Sequence, residues 1–265
     1  MSFENELVKI VLTAVLGCLF GGISAYIVTR LRLKELDKGF DLKVQELRAA
    51  FDLKVQEMQK QIDIQQEADQ KKERILLRLK YLQPLRAETE EFGKRMAEIN
   101  ISISDPQELT KVKRWFGFIR DNSQLARKEF LLWCNYEGHF AMTTLYTTAK
   151  YLAHAGRILS TEPFRELNTA YSNELKEHLE KVRAALGGSY NVWEKSQDII
   201  GHCVTRGDTV ASYREFCNSI VDDGSGDSNY AEFLRLIDFY REIDLKRSNI
   251  SRVTSALDDL KAFLK

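Results

Sequence analysis

The chain has 265 residues, and its 39 lysines and arginines equal its 39 aspartates and glutamates, so the formal net charge is zero. This balance excludes a global attraction to nucleic acid, so any electrostatic role is local. The cysteines (Cys18, Cys134, Cys203 and Cys217) form no C-x-x-C pair, which argues against a disulfide framework or zinc knuckle and favours a reducing compartment. With three prolines and many strong helix formers, the composition predicts an almost wholly α-helical protein.

The first predicted element is a membrane-spanning helix. Residues Ile10 to Val28 carry no charge over a length that crosses a bilayer, and the stem of Lys9 can reach the interface. A cleaved signal peptide, a lipoprotein signal ending at Cys18 and a buried soluble helix are the alternatives. Glu4 and Glu6 stand where a signal peptide has basic residues, and apolar residues continue after Cys18, where a mature lipoprotein becomes polar. We therefore expect a transmembrane helix.

A basic cluster follows the span. Arg30, Arg32, Lys34 and Lys38 come directly after it, against a single Lys9 before it. Because basic residues concentrate on the cytoplasmic side, we expect a single pass through a bacterial inner (plasma) membrane, with the N-terminus outside and the C-terminal body in the cytoplasm. The same four side chains are predicted to contact anionic lipid headgroups.

Small residues recur at every fourth position of the span, at Thr13, Gly17, Gly21, Ala25 and Thr29. A ridge of this kind lets helix backbones approach closely, which is how transmembrane helices associate without a hydrophobic gain. Glycine and alanine are also common in membrane helices that stay single. The regular spacing favours self-association through Gly17, Gly21 and Ala25.

An internal repeat follows. The sequence Phe40 to Glu46 returns unchanged as Phe51 to Glu57, and a decayed third copy begins at Ile62. The period is eleven residues, about 3.67 per helical turn, so a seam built on it is nearly straight or gently right-handed. The repeat predicts a coiled-coil stalk that differs from a heptad leucine zipper.

The repeat places apolar side chains on two opposed sides of the predicted stalk. The wider face contains Leu33, Leu36, Phe40, Val44, Leu47, Phe51, Val55, Met58 and Ile62, and the thinner line contains Leu31, Leu42, Leu53 and Ile64. Two apolar sides let each helix contact two neighbours, which favours more than two copies. A lone helix folded back on its own body and an amphipathic helix on the bilayer surface are the alternatives. Asp41, Asp52 and Asp63 weaken the second of these.

A helical body is predicted after Pro84. Proline positions and apolar periodicity predict helices over Leu85–Ile99, Pro106–Ile119 with Asp105 as the cap, Ser123–Asn135, Gly138–Ala149, Pro163–Leu186, Tyr190–Cys203, Asp208–Val221, Tyr230–Ile243 and Asn249–Leu264. The segment from Gly138 to Ala149 is uncharged and rich in small residues, so we expect it at the centre of the bundle. Glu137, Lys150 and His154 argue against a second membrane crossing there.

No catalytic or metal-binding motif is recognisable. The acidic loop from Asp222 to Asn229 has Ser228 and Leu234 where an EF-hand requires glycine and glutamate. Cys134 with His139, and His202 with Cys203, are the remaining nucleophile and base candidates, but on a continuous helix neither pair can meet. The sequence therefore predicts a non-enzymatic protein without cofactor or metal.

The predicted fold is all-α, with one N-terminal transmembrane helix, a coiled-coil stalk and a cytoplasmic α-helical bundle. The predicted boundaries are an external N-terminus at 1–6, a transmembrane helix at 7–29, a stalk at 30–83 and the bundle at 84–265. The expected function is that of a membrane-anchored, self-associating sensor or scaffold whose body binds a cytoplasmic protein. A membrane-perturbing effector of the bacterial toxin or defence type, whose spans cluster on a cytoplasmic trigger, is the alternative.

Overall fold

The computed structural model describes residues 3–121, 127–160, 170–187, 192–221 and 228–265. Helices account for 89% of these residues, so the predicted all-α class is confirmed. The chain forms two compact units, Met1–Glu73 and Arg74–Lys265.

The first unit belongs to a single long helix, α1, which spans Phe3–Leu77. By length and composition α1 could cross a membrane, and it is the one helix among the described residues that meets this condition. Two hydroxyl groups of its apolar part donate hydrogen bonds to the helix itself, Thr13 to the Lys9 carbonyl and Thr29 to the Ala25 carbonyl, each at 2.7 Å. These polar side chains are therefore satisfied without water, as a lipid environment requires.

A π-helical turn at Arg78–Leu82 separates α1 from α2, which spans Gln83–Ser104. Within this turn the Gln83 N–H donates to the Arg78 carbonyl, five residues back. Pro84 lies in the first turn of α2 and has no N–H to donate. The π-helical turn therefore lies where the proline would interrupt the regular α-helical hydrogen bonds between residues four apart.

The second unit begins earlier than the predicted boundary at Pro84. Its first residue is Arg74, and Leu77, Tyr81 and Leu82 already pack against the core of the body. Because these apolar side chains precede Pro84, the proline lies inside the body. It marks a change in backbone hydrogen bonding and not the start of the unit.

The remaining helices of the second unit follow in chain order. They are α3 (Pro106–Asp121), α4 (Arg127–Asn135), α5 (His139–Ser160), α6 (Ala170–Gly187), α7 (Glu194–Cys203), α8 (Tyr213–Ile220), α9 (Tyr230–Arg241) and α10 (Arg247–Phe263). The predicted starts at Ser123, Pro163 and Tyr190, and the acidic loop over 222–227, lie outside the described residues.

The prediction of one helix from Asp208 to Val221 is wrong at its beginning. Short antiparallel strands, β1 (Thr205–Arg206) and β2 (Thr209–Val210), occupy this region, with Thr205 opposite Val210. Gly207 in the turn has φ +55°, a conformation that ends helical geometry and favours glycine.

The helix α8 begins only after this hairpin. The Ser212 hydroxyl accepts from the Glu215 N–H, and the Glu215 carboxylate accepts from the Ser212 N–H, which together form a capping box. This reciprocal cap satisfies two backbone donors and fixes the start of the helix at Tyr213.

Two predicted features are confirmed. Asp105 caps α3 by accepting from the Gln107 N–H at 2.8 Å. The helix α5 is the central one, because its side chains are buried nearly all round at positions that include Met142, Leu145 and Tyr151. Small residues on α5 allow this close packing by its neighbours.

The core joins four helices through a chain of aromatic and hydroxyl contacts. The ring of Tyr240 on α9 stacks on Phe116 of α3 with centroids 5.0 Å apart. Its hydroxyl lies 2.8 Å from the Thr148 hydroxyl of α5 and donates to Met96 Sδ of α2 at 3.6 Å. The buried hydroxyls of Tyr240 and Thr148 therefore have partners, which lets these two polar groups lie inside the core.

Candidate self-association and partner-binding surfaces

The ridge of small residues in α1 is open. A Cβ atom added at Gly17 or Gly21 would meet nothing within 4 Å, and Ala25 is exposed. The apolar side chains around the ridge are exposed as well, among them Leu16 and Phe20. The structure therefore places the predicted ridge where a second helix could reach it, and its use in self-association stays a prediction.

The four cationic residues after the span, Arg30, Arg32, Lys34 and Lys38, are all exposed on α1. They lie on the helix within nine residues of one another and outnumber the two acidic residues of the same stretch, Glu35 and Asp37, so the local charge is positive. Such a cluster attracts anionic headgroups by about 1 kcal/mol per side chain. Their contact with lipid stays a prediction.

The eleven-residue repeat leaves large apolar side chains uncovered. Phe40 and Phe51, equivalent residues of two copies, are 69% and 67% exposed. Leu47, Val55 and Met58 on the same predicted face are also exposed, and Val44 is half-buried. On the opposite line Leu31, Leu42, Leu53 and Ile64 are exposed. Because burying one such side chain is worth about 1.5–3 kcal/mol, these surfaces favour covering by another apolar surface.

The body carries a groove of about 610 Å³, which we call the Arg74 groove. Its apolar lining comes from the start and the end of the unit and from α6, and consists of Leu77, Leu82, Tyr171, Phe263 and Leu264. The ring of Tyr171 stacks on Phe263 with centroids 4.8 Å apart, which fixes one wall. The volume lies within the range of ordinary ligand-binding sites.

The polar lining of the Arg74 groove is cationic. It consists of Arg74, Arg78, Arg86, Lys265 and the uncharged Gln83. Burial raises the pKa of the Tyr171 hydroxyl, and the positive charge of Arg78 opposes that rise. No aspartate or glutamate is among the described residues that line the groove.

A second polar cluster joins α2 to α5. Lys150 Nζ lies 2.7 Å from Glu88 Oε1 and 3.3 Å from Glu91 Oε2, and it also sits 5.2 Å from the centre of the Tyr146 ring. Burial raises the pKa of Glu88 and the Lys150 ammonium counteracts it. The other Glu88 oxygen, Oε2, is buried without a hydrogen-bond partner in the described part of the chain. None of these residues lines the Arg74 groove. The cluster instead links α2 to α5 inside the body.

His154 follows Lys150 by one turn of α5 and gives the body a pH dependence. Burial, and then the charges of Arg157 and Lys150, lower the pKa of His154 from 6.5 to about 4. The folded imidazole binds a proton less readily than the unfolded one. The stability it contributes is therefore present above pH 6.5 and is lost as the pH falls through the window from 6.5 to about 4.

We expect the free energy of unfolding to decrease by about 1–2 kcal/mol between pH 7 and pH 5. In the His154→Gln variant most of this decrease should be absent. Denaturant unfolding of the full-length protein in mild detergent, followed by tryptophan fluorescence, measures it. The same substitution at the exposed His202 controls for the loss of an imidazole. Equal pH dependence in the His154→Gln variant and the unsubstituted protein would contradict the assignment.

The cysteine candidates are not arranged as activated nucleophiles. A break at 136–138 does separate Cys134 from His139, but the His139 ring faces the Tyr213 hydroxyl, with Nδ1 3.5 Å from it. A hydrogen bond to the Cys217 thiol, and then burial, raise the pKa of Cys134, while the same hydrogen bond lowers the pKa of its buried partner Cys217. Burial likewise raises the pKa of Cys203. A raised pKa keeps a thiol protonated, and the thiolate is the reactive form.

At the break before α5, Gly138 lies directly against the Trp133 ring. A Cβ atom at Gly138 would lie 2.2 Å from this ring, so any larger residue requires the indole to move. Among the described residues no group of three or more His, Cys, Asp or Glu side chains is placed to hold a metal ion.

Sequence reasoning located the surfaces of α1 and missed the Arg74 groove. Arg74 and Arg78 flank Leu77 with the four-residue spacing of one helix face, and this local signal was readable. Phe263 and Leu264 join them only through the packing of α10 against α2 and α6. No local sequence pattern predicts this packing of α10 against α2 and α6.

Comparisons with models of known protein families, with characterised proteins and with solved structures found no match for this chain.

Proposed function

We propose that this chain is a non-enzymatic, membrane-anchored sensor or scaffold protein that assembles side by side through α1 and binds a cytoplasmic protein through its helical body. The observation that carries the proposal is the contrast between the two units. The body buries most of its large apolar side chains in one core, whereas nearly all of those of α1 from Ile10 to Ile64 remain exposed.

The surface of the first part of α1 is suited to contact with lipid. The segment from Ile10 to Val28 is uncharged, its threonine hydroxyls bond to their own helix, and a basic cluster follows it. This combination supports a span with the body on the cytoplasmic side of an inner membrane.

The apolar surface of α1 after the span is suited to burial against other copies of α1. Its apolar side chains alternate with charged ones of both signs along the repeat, a pattern of helix bundles in water. The two apolar sides support an assembly of more than two copies. Each assembly then presents several copies of the body, so that modest affinities for a partner combine into stronger attachment.

Gly21→Leu tests the membrane part of the assembly. We expect a leucine side chain on the ridge to separate the spans and to weaken association about tenfold, or about 1.4 kcal/mol, while the protein stays in the membrane fraction. Formaldehyde crosslinking in cells measures the association. Gly22→Leu is the matched control, because it adds the same side chain on another side of the helix. Equal crosslinking of both variants and the unsubstituted protein would refute the ridge.

The effector alternative makes a different prediction for the same variants. A membrane-perturbing protein would cause dye influx and growth arrest on overproduction, and Gly17→Leu or Gly21→Leu would abolish both. From Ile10 to Val28 the span carries no charged side chain, and the hydroxyls of Thr13 and Thr29 bond to their own helix, so Ser24 and Tyr26 are the hydroxyl groups left for a pore lining; this small number supports the scaffold proposal over the effector. We expect that overproduction of the protein causes neither dye influx nor growth arrest.

A further inference from the structure

We infer that the Arg74 groove is the partner-binding site of the body and that its occupant is an acidic amphipathic helix of another protein. The inference rests on the proposed function for the existence of a partner, and it specifies the chemistry that partner must present. Charge complementarity and the spacing of the groove's cations carry it.

Two of the groove's arginines have no charged or hydrogen-bonding partner in the described ranges. Arg74 and Arg78 are exposed, and neither has an ion-pair or hydrogen-bond partner among the described residues. Arg86 pairs with Glu90 at 3.5 Å, but both side chains are more than a third exposed. An exposed pair of this kind is worth about 0–1 kcal/mol, so an incoming carboxylate can replace Glu90 at little cost.

The apolar lining lies beside these charges. Leu77 falls between Arg74 and Arg78 in sequence, and Phe263 and Leu264 bring apolar surface from α10. A ligand must therefore present an apolar side and negative groups together. An amphipathic helix does so, with apolar anchors spaced three and four residues apart and acidic residues along the edge of that stripe.

The spacing of the cations distinguishes a helix from a single anion. Arg74 and Arg78 are one turn apart, about 6 Å along the helix axis, whereas Arg86 is twelve residues from Arg74, about 18 Å along the chain's helical rise. One phosphate or lipid headgroup can engage the first two arginines but not the third. Carboxylates on about three turns of a bound helix match the whole series.

The test uses the full-length protein in phosphatidylcholine nanodiscs and three dye-labelled peptides of about 18 residues. The first is an amphipathic helix of leucine and glutamate, the second has lysine in place of glutamate, and the third scrambles the first so that leucines surround the helix. Fluorescence anisotropy measures their dissociation constants. We expect the acidic amphipathic peptide to bind at least about tenfold more tightly than either of the others.

Charge reversal supplies the decisive variant. In the double variant Arg74→Glu, Arg78→Glu the two new carboxylates balance Arg86 and Lys265, so the acidic peptide should lose its tenfold advantage while the basic amphipathic peptide binds more tightly than to the unsubstituted protein. Because tighter binding of the basic peptide is a gain, loss of folding does not explain it. Arg114→Glu, an exposed arginine of α3 outside the groove, is the matched control and should keep the original preference.

Three results would overturn the inference. The first is an unchanged preference in the double variant. The second is displacement of the acidic peptide by soluble dihexanoyl phosphatidylserine at equal concentration, which would assign the groove to lipid. The third is a lower copy number of the double variant in the nanodiscs, which would assign it to a second copy of this chain. A monomeric unsubstituted protein with the expected peptide preference would instead refute self-association and leave the groove assignment standing.

Discussion

Phe51→Glu is expected to disperse the assembly of α1. Phe51 is exposed on α1, and the repeat places it in the middle of the wider apolar face. In a symmetric assembly each copy would bring one glutamate into the same apolar seam, where an unpaired carboxylate loses its hydration. We expect at least a hundredfold weaker association, about 2.7 kcal/mol or more, and a fall in copy number measured by the mass of the detergent-solubilised protein.

Gln56→Glu is the control for this substitution. It adds the same charge one turn and a half further along α1, at a position that belongs to neither apolar side. Its copy number should equal that of the unsubstituted protein. If Phe51→Glu also left the copy number unchanged, the eleven-residue repeat would have no part in assembly.

Gly201→Ala is expected to destabilise the body. Gly201 lies in α7 against α5, and a Cβ atom there would come within 2.9 Å of the backbone of Leu152 and Ala153. Backbone atoms of the central helix cannot rotate away as a side chain can, so α7 must shift outward and lose contacts. We expect a decrease of about 2–3 kcal/mol in the free energy of unfolding, measured by denaturant titration in mild detergent.

Gly117→Ala is the matched substitution in open space. Gly117 lies inside α3, and an added Cβ would meet nothing within 4 Å. Because alanine is the better helix former, this variant should be more stable by up to about 1 kcal/mol. Opposite signs for the two variants would show that the close approach at Gly201, and not the loss of glycine, determines the result. Equal changes in the free energy of unfolding for Gly201→Ala and Gly117→Ala would contradict this explanation.

Elements that depend on one stretch of sequence were predictable. The apolar run from Ile10 to Val28 indicated a helix able to cross a membrane, and α1 contains it. The uncharged segment after Gly138 indicated the central helix, because only a helix surrounded on all sides can be apolar on all sides. Asp105 before Pro106 indicated a cap, and its carboxylate accepts the expected backbone hydrogen bond.

Features that depend on distant residues were not predictable in the same way. The hairpin at 205–210 has a local signal that was missed, because Gly207-Asp208 between β-branched residues suits a two-residue turn. Its attachment is not local, because Arg157 of α5 holds it by donating to the carbonyls of Gly207, Asp208 and Thr209 at 2.6–2.8 Å. That arginine is some fifty residues away along the chain, so no local pattern reveals it. The apolar wall of the Arg74 groove depends on α10 in the same manner.

The copy number of the full-length protein in native lipid nanodiscs tests the central claim most directly. Native mass spectrometry of the purified particles counts the copies and identifies any bound protein. The exposed apolar sides of α1 predict more than two copies in each particle, reduced by Gly21→Leu and by Phe51→Glu. A single copy in the unsubstituted protein would contradict assembly through α1.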